Sequence, residues 1–133
     1  MMVHRCVSGV SQGQEEFLEL VYRLTASGGV ARTSDLAEGL KTSLGTITNL
    51  VERLERKGLV VHQPYRGIVL TSKGKRIAAK IVRRHRLVES FLVNYLRIPS
   101  ERAHEYACKM EHAVDEEVVN ALASLLSSQR QGE

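Results

Sequence analysis

The sequence predicts a mainly α-helical protein: an N-terminal winged helix-turn-helix followed by a helical domain bearing candidate metal ligands. Three observations predict it. Two short helical patterns flank the turn Lys41-Thr42-Ser43, and a strand-turn-strand pattern follows them. A long helix then opens with a run of basic residues. Last, the stretch Ala103–Asp115, wound as a helix, aligns His104, Cys108, Glu111 and His112 at i, i+4, i+7 and i+8, beside an apolar face of Ala103, Tyr106, Ala107, Met110 and Val114. Imidazole, thiol, carboxylate and imidazole are all transition-metal donors.

Bulk properties narrow the classes. At 133 residues and 43% apolar, the chain can bury a core, either as one domain or as two small ones closely joined. A formal charge of +4 suits an anionic partner. Trp is absent and aromatics are scarce, which argues against a platform that stacks single-stranded bases. The two cysteines, Cys6 and Cys108, form neither a disulfide framework nor a zinc-finger spacing. No apolar run reaches membrane-spanning length and no signal-peptide core follows Met1, so the expected location is the cytoplasm.

In chain order, residues 1–12 read as a flexible tail, with His4 and Cys6 as bystanders to any metal chemistry. The winged helix-turn-helix domain is expected over residues 13–72. Its first helix runs from Gln14 to Ala26, with Phe17, Leu20, Val21 and Leu24 inward and Gly28-Gly29 ending it. Glu16 and Glu19 share one side of this helix. From the residues alone, they are better explained by a solvated first turn favoured by the helix dipole than by metal ligation. Thr33 or Ser34 caps a second helix through Leu36, Ala37 and Leu40. A third follows with Ile47, Leu50, Val51 and Leu54 at helical spacing.

A short helix, a tight turn, and a helix that starts with small polar residues is the helix-turn-helix pattern. Ser43, Gly45, Thr46, Thr48 and Asn49 are then the base-proximal candidates: Gly45 for close backbone approach, Asn49 for pairing with adenine. A plain helical hairpin is the alternative until the next stretch is read. Leu59–Gln63, Pro64–Gly67 and Ile68–Leu70 read as strand, turn and strand, a β-wing directly after a recognition helix. Arg66 at its tip would meet phosphate or the minor groove, with Tyr65 packed beside it.

The helical domain is expected over residues 73–127, ahead of a polar tail, 128–133. Thr71-Ser72 caps its long helix, whose first part carries Lys73, Lys75, Arg76, Lys80, Arg83, Arg84 and Arg86 before the first acid, Glu89. A solvated helical face accounts for some of these cations. Ile77, Ile81, Val88, Leu92 and Tyr95 form a buried stripe that contains His85. A histidine on an apolar face is commonly a satisfied core residue, but here it shares a domain with the ligand cluster. Ser100 caps the next helix, and Asp115 caps a last one whose apolar side, Val118, Val119, Leu122, Leu125 and Leu126, suits a partner helix.

From about Glu15 to Leu126 the chain resembles the diphtheria toxin repressor and manganese transport regulator family. The resemblance rests on Tyr65–Lys75, Arg84–Glu89 and Cys108–His112, in that order and spacing. It implies a homodimeric winged-helix repressor of metal-homeostasis genes, acting on a palindromic double-stranded operator with Mn²⁺ or Fe²⁺ as co-repressor; Zn²⁺, Co²⁺ and Ni²⁺ would also bind in vitro. It places Glu16 and Glu19 at the first-helix ligand positions, His85 at the long-helix ligand, and Cys108, Glu111 and His112 at the remaining main-site ligands. Glu89 and His104 match ancillary-site positions.

The ligand set is a hybrid of the family's branches. The iron branch has Met at the position of Glu16 and carries a C-terminal SH3-like domain that this sequence lacks. The manganese branch has a carboxylate at the position of Cys108. The resemblance implies that metal joins first-helix carboxylates to the ligands of the second domain and so favours the DNA-binding conformer.

Two rival readings come from the residues. One is a redox-responsive winged-helix repressor sensing through Cys108, although that thiol has no resolving cysteine near it in sequence. The other is a metal-dependent enzyme on a helical scaffold, which lacks a nucleophile, an acid/base pair and an H-E-x-x-H motif. A winged helix that binds only protein is disfavoured by the basic run.

Overall fold

A computed structural model of the chain describes residues 10–131. His4 and Cys6, with the rest of residues 1–9 of the expected N-terminal tail and residues 132–133 of the C-terminal one, lie outside the described residues. The elements run α1 (Gln12–Leu24), α2 (Thr33–Gly39), α3 (Leu44–Arg56), β1 (Val60–Gln63), β2 (Gly67–Leu70), α4 (Ser72–Asn94), α5 (Ser100–Met110), a 3-10 turn (Glu111–Ala113) and α6 (Glu116–Gln131). The chain divides into two compact units, one ending at Ala79 and the other beginning at Lys80, so α4 contributes to both. The boundary expected from sequence lies instead at the start of that helix. Among the described residues no helix is long and apolar enough to cross a membrane.

The N-terminal unit is built on Phe17, Leu18, Val21, Leu36, Ile47, Leu54 and Ile68, all fully buried. Helix α1 begins and ends two residues earlier than its apolar spacing suggests, because its ends are set by polar groups. Ser11 Oγ accepts from Gln14 N–H at 3.2 Å while Gln14 Oε1 accepts from Ser11 N–H at 3.1 Å, a capping box. At the other end Thr25 Oγ1 donates to Val21 O at 2.7 Å. Leu18 rather than Leu24 faces inward; Leu24 is exposed. Helix α2 has no side-chain cap: Arg32 is its N-cap residue, and Thr33 and Ser34 lie inside the helix.

Helices α2 and α3 close in the same way. Thr42 N–H donates to Ala37 O and Lys41 N–H to Glu38 O, with Lys41 at φ +54°. Leu59 N–H donates to Leu54 O and Gly58 N–H to Glu55 O, with Gly58 at φ +73°. Both are Schellman closures with a left-handed residue just past the helix. The second adds contact between two buried leucines; the first makes the tight turn into α3.

Strands β1 and β2 pair antiparallel in the register Val60↔Leu70, Val61↔Val69, His62↔Ile68 and Gln63↔Gly67. Arg66 N–H donates to Gln63 O at 3.0 Å, closing a turn with Pro64 at its second position and Tyr65 at φ +63° in its third. Beyond the expected hairpin, Ala31 pairs with Ile68 through reciprocal bonds of 2.9 and 2.8 Å. One bridging residue leaves no alternating pattern for sequence reading to detect.

Thr71 joins wing to α4. Its hydroxyl donates to Gly58 O at 2.7 Å and accepts from Gly74 N–H at 3.0 Å, as its expected capping role requires. The first turn of α4 passes so close that a Cβ on Gly74 would lie 2.0 Å from Leu59 O.

In the C-terminal unit, Val88 and Leu92 of α4 meet Ala103 and Ala107 of α5, with Phe91, Ile98, Val114 and Leu122 packed around them. Two alanines on the α5 face let the helices approach closely. Tyr106 and Met110, expected on that face, are exposed. Pro99, not Ser100, is the N-cap residue of α5, with no side-chain cap bond. Helix α5 ends at Met110, not at Asp115, and the chain tightens into the 3-10 turn. Helix α6 runs to Gln131, past the expected end at residue 127.

Candidate metal centre and nucleic-acid face

The metal-donor side chains of the C-terminal unit gather where α4, α5 and the 3-10 turn meet. On α4, His85 and Glu89 are one turn apart and share a face. On α5, His104 and Cys108 repeat that spacing. The floor of the cluster is buried: His85, Glu111 and His112 are each at most 3% exposed. Its rim is wet, since His104 and Cys108 are exposed and Glu89 is half-buried.

The distances are short throughout. His85 Nδ1 lies 2.8 Å from Glu111 Oε2, and His85 Nε2 lies 3.1 Å from His104 Nδ1 and 3.3 Å from Glu89 Oε2. His104 Nδ1 is 3.0 Å from Glu89 Oε2. Cys108 Sγ stands 3.7 Å from His104 Nε2 and 3.9 Å from His85 Nδ1. His112 Nε2 is 3.3 Å from Glu111 Oε1. Ligand atoms of His85, His104 and Cys108 all fall within 4.8 Å of one another. Donors bonded to one ion at about 2.0–2.3 Å stand about 3 to 4 Å apart, so these residues fit a first-row divalent ion. The mixed sulfur, nitrogen and oxygen set fits one as well.

The change of winding at Met110 matters here. On a continuous α-helix Glu111 and His112 would follow His104 and Cys108 along one stripe. In the 3-10 turn both are buried instead, and the sequence has no marker for that tightening. The turn's far end is held by Arg84, whose Nη1 donates to Val114 O at 3.3 Å. Arg84, expected on the basic face, is 3% exposed and holds this turn instead.

Glu16 and Glu19 belong to the other unit. Glu16 is exposed, with Gln12 Nε2 donating to it at 3.4 Å. Glu19 is buried and accepts from Arg23 Nη2 at 2.6 Å within α1.

The nucleic-acid candidates are all on the surface of the N-terminal unit: Ser43, Gly45, Thr46, Thr48, Asn49, Tyr65 and Arg66 are exposed. Tyr65 does not pack beside Arg66 as expected. It is fully exposed, because the left-handed turn residue directs it outward. A polar cleft of about 340 Å³ lies between the wing and the start of α2, lined by Arg32, Thr33, Ser34, His62, Arg66 and Gly67 among others. Arg32 escapes sequence reading, since it lies outside the recognition helix and the wing tip.

Two family models divide the chain between them. Residues 10–68 match the N-terminal DNA-binding domain of iron-dependent repressors, and residues 71–131 match their metal-binding and dimerisation domain. A helix-turn-helix-type transcriptional regulator of Methanocaldococcus jannaschii is 37% identical over 114 residues, covering 85% of this chain and 91% of the relative.

The chain belongs to the iron-dependent repressor family.

The repressor is also 33% identical over 112 residues to the regulator MntR of Bacillus subtilis, covering 84% of this chain and 78% of that protein. Its fold matches the solved manganese regulator SloR with a TM-score of 0.74 at 30% identity, over 86% of this chain and 53% of that one. It matches a manganese-dependent transcriptional repressor, solved in complex with manganese, with a TM-score of 0.76 at 32% identity, over 86% and 52%. The chain thus spans about half the length of these two structural relatives. The family binds DNA to regulate transcription and binds metal through its second domain, so the enzyme reading is set aside. Nothing in these relatives favours the redox reading.

Proposed function

We propose that this repressor silences metal-homeostasis genes when Mn²⁺ or Fe²⁺ occupies the His85–Cys108–Glu111 cluster, and that it acts as a homodimer on a palindromic operator. The observation that carries this is the convergence of His85, His104 and Cys108 within ligand distance, over a floor made by Glu111 and His112. His85, Cys108, Glu111 and His112 would hold the main ion, and Glu89 with His104 an ancillary one. Glu16 and Glu19 join the proposal on the family resemblance. A bound divalent ion would supply positive charge among carboxylates and a template for these donors.

The chain's own residues do the rest. Glu111 Oε2 lies 2.8 Å from His85 Nδ1 and holds that ring in position beside the other donors. Asn49 and the exposed start of α3 face the bases, while Arg66 and the basic opening of α4 face phosphates. The carboxylates and the thiol favour different ions: oxygen donors suit Mn²⁺, whereas sulfur pulls toward Fe²⁺ and later metals.

Fluorescence anisotropy of the protein on duplex DNA from upstream of its own gene tests the proposal. Binding should be tight with Mn²⁺ or anaerobic Fe²⁺ and weak without metal. Glu111→Ala should lose the metal response while keeping its fold and dimer. A variant that responds normally would remove Glu111 from the site, and wild-type binding that ignores metal would remove the co-repressor role.

A further inference from the structure

Resting on the DNA-binding reading above, we infer that Leu44 reads a thymine methyl group in the major groove. Leu44 is the first residue of α3 and is 57% exposed. Packing does not require it there, because Ile47, one turn on, anchors the helix and is fully buried. Helix chemistry does not favour it either: the first helical position prefers proline, which has no N–H to leave unpaired, and the first turn prefers acids, which complement the helix dipole.

The polar side chains around Leu44 are committed to the helix itself. Ser43 Oγ accepts from Thr46 N–H at 3.1 Å and lies 3.0 Å from Thr46 Oγ1. Thr48 Oγ1 donates to Leu44 O at 3.0 Å. Gly45 has no side chain, and a Cβ there would meet only Ser43 Oγ at 3.8 Å, so the protein's own packing does not demand glycine. The space beside Gly45 is open to a close-approaching ligand. The first turn therefore presents one large side chain, and it is aliphatic. On base edges in the major groove the matching apolar group is the C5-methyl of thymine.

The test uses full-length protein with saturating Mn²⁺. Duplexes enriched from a random pool are rebuilt with each thymine replaced singly by deoxyuridine, which removes only the methyl. Affinities are read by anisotropy at fixed salt. For the wild type, one substitution per half-site should weaken binding about fourfold, the equivalent of one buried methyl-sized group. Leu44→Ala should bind more weakly and be insensitive to that same substitution, while Leu44→Met restores the sensitivity. Thermal unfolding of Leu44→Ala should match the wild type, since the side chain is exposed. A flat uracil profile for the wild type, or an unchanged profile in Leu44→Ala, overturns the role of Leu44 and leaves DNA binding intact. Failure to enrich any duplex overturns the DNA-binding reading itself.

Discussion

At the scale of single residues, Arg84 has the clearest consequence. Its guanidinium holds Val114 O at the end of the turn that carries Glu111 and His112. Groups that orient metal ligands without touching the ion commonly contribute ten- to a hundredfold to affinity. Arg84→Gln should therefore weaken Mn²⁺ binding by about that factor, measured by competition with a chelating dye. The metal-free circular dichroism spectrum should stay close to wild type, and unchanged affinity would confine Arg84 to packing. Sequence reading does not separate Arg84 from its basic neighbours, because burial of one cation in a run depends on what the other elements bring against it. The i, i+4 pairs His85/Glu89 and His104/Cys108 are legible, since one helical turn fixes their shared face.

At the scale of elements, the two Schellman closures invite a paired experiment. Lys41 and Gly58 occupy equivalent left-handed positions, and only glycine takes that conformation without a Cβ penalty. Lys41→Gly should stabilise the protein by about 1 kcal/mol and Gly58→Ala should destabilise it by about the same amount, as read from urea unfolding midpoints. Opposite signs are the expected result; equal signs would mean that the turns are not equivalent. Gly74→Ala is a harsher change, because its Cβ would collide with Leu59 O and move the wing or α4. It should cost more than the Gly58 substitution in the same assay. Element order and the wing are readable from hydrophobic spacing and turn residues. The boundaries of α1 and α5 are not, because a capping box and a switch of winding set them.

At the scale of the whole molecule, the division of labour between the two units governs how binding responds to solution conditions. Arg66 lies on the exposed wing of the N-terminal unit, far along the chain from the metal donors. Arg66→Ala should lower affinity nearly equally for all duplexes. It should also reduce the slope of log K against log salt by about 1 for each phosphate that the arginine neutralises. Its metal affinity should stay at the wild-type value. A change confined to one base position would instead make Arg66 a sequence reader. The two-part organisation is visible in the sequence as a basic wing-and-helix stretch followed by a donor-rich one. The identity of the ion is not visible, because a donor set mixing thiol, imidazole and carboxylate is chemically permissive.

The hydrogen bonds inside the donor cluster carry one more consequence. Ring nitrogens and carboxylate oxygens of His85, Glu111, His104 and Glu89 stand 2.8 to 3.1 Å apart. Metal ligands must be deprotonated, so loading the proposed site would exchange protons for a cation, the thiol proton of Cys108 among them. The heat of Mn²⁺ binding measured in two buffers of different ionisation enthalpy should differ in proportion to the protons released. A regulator loaded at that site would respond to the ratio of metal to acid in its surroundings, and an acidified solution would read to it as metal scarcity.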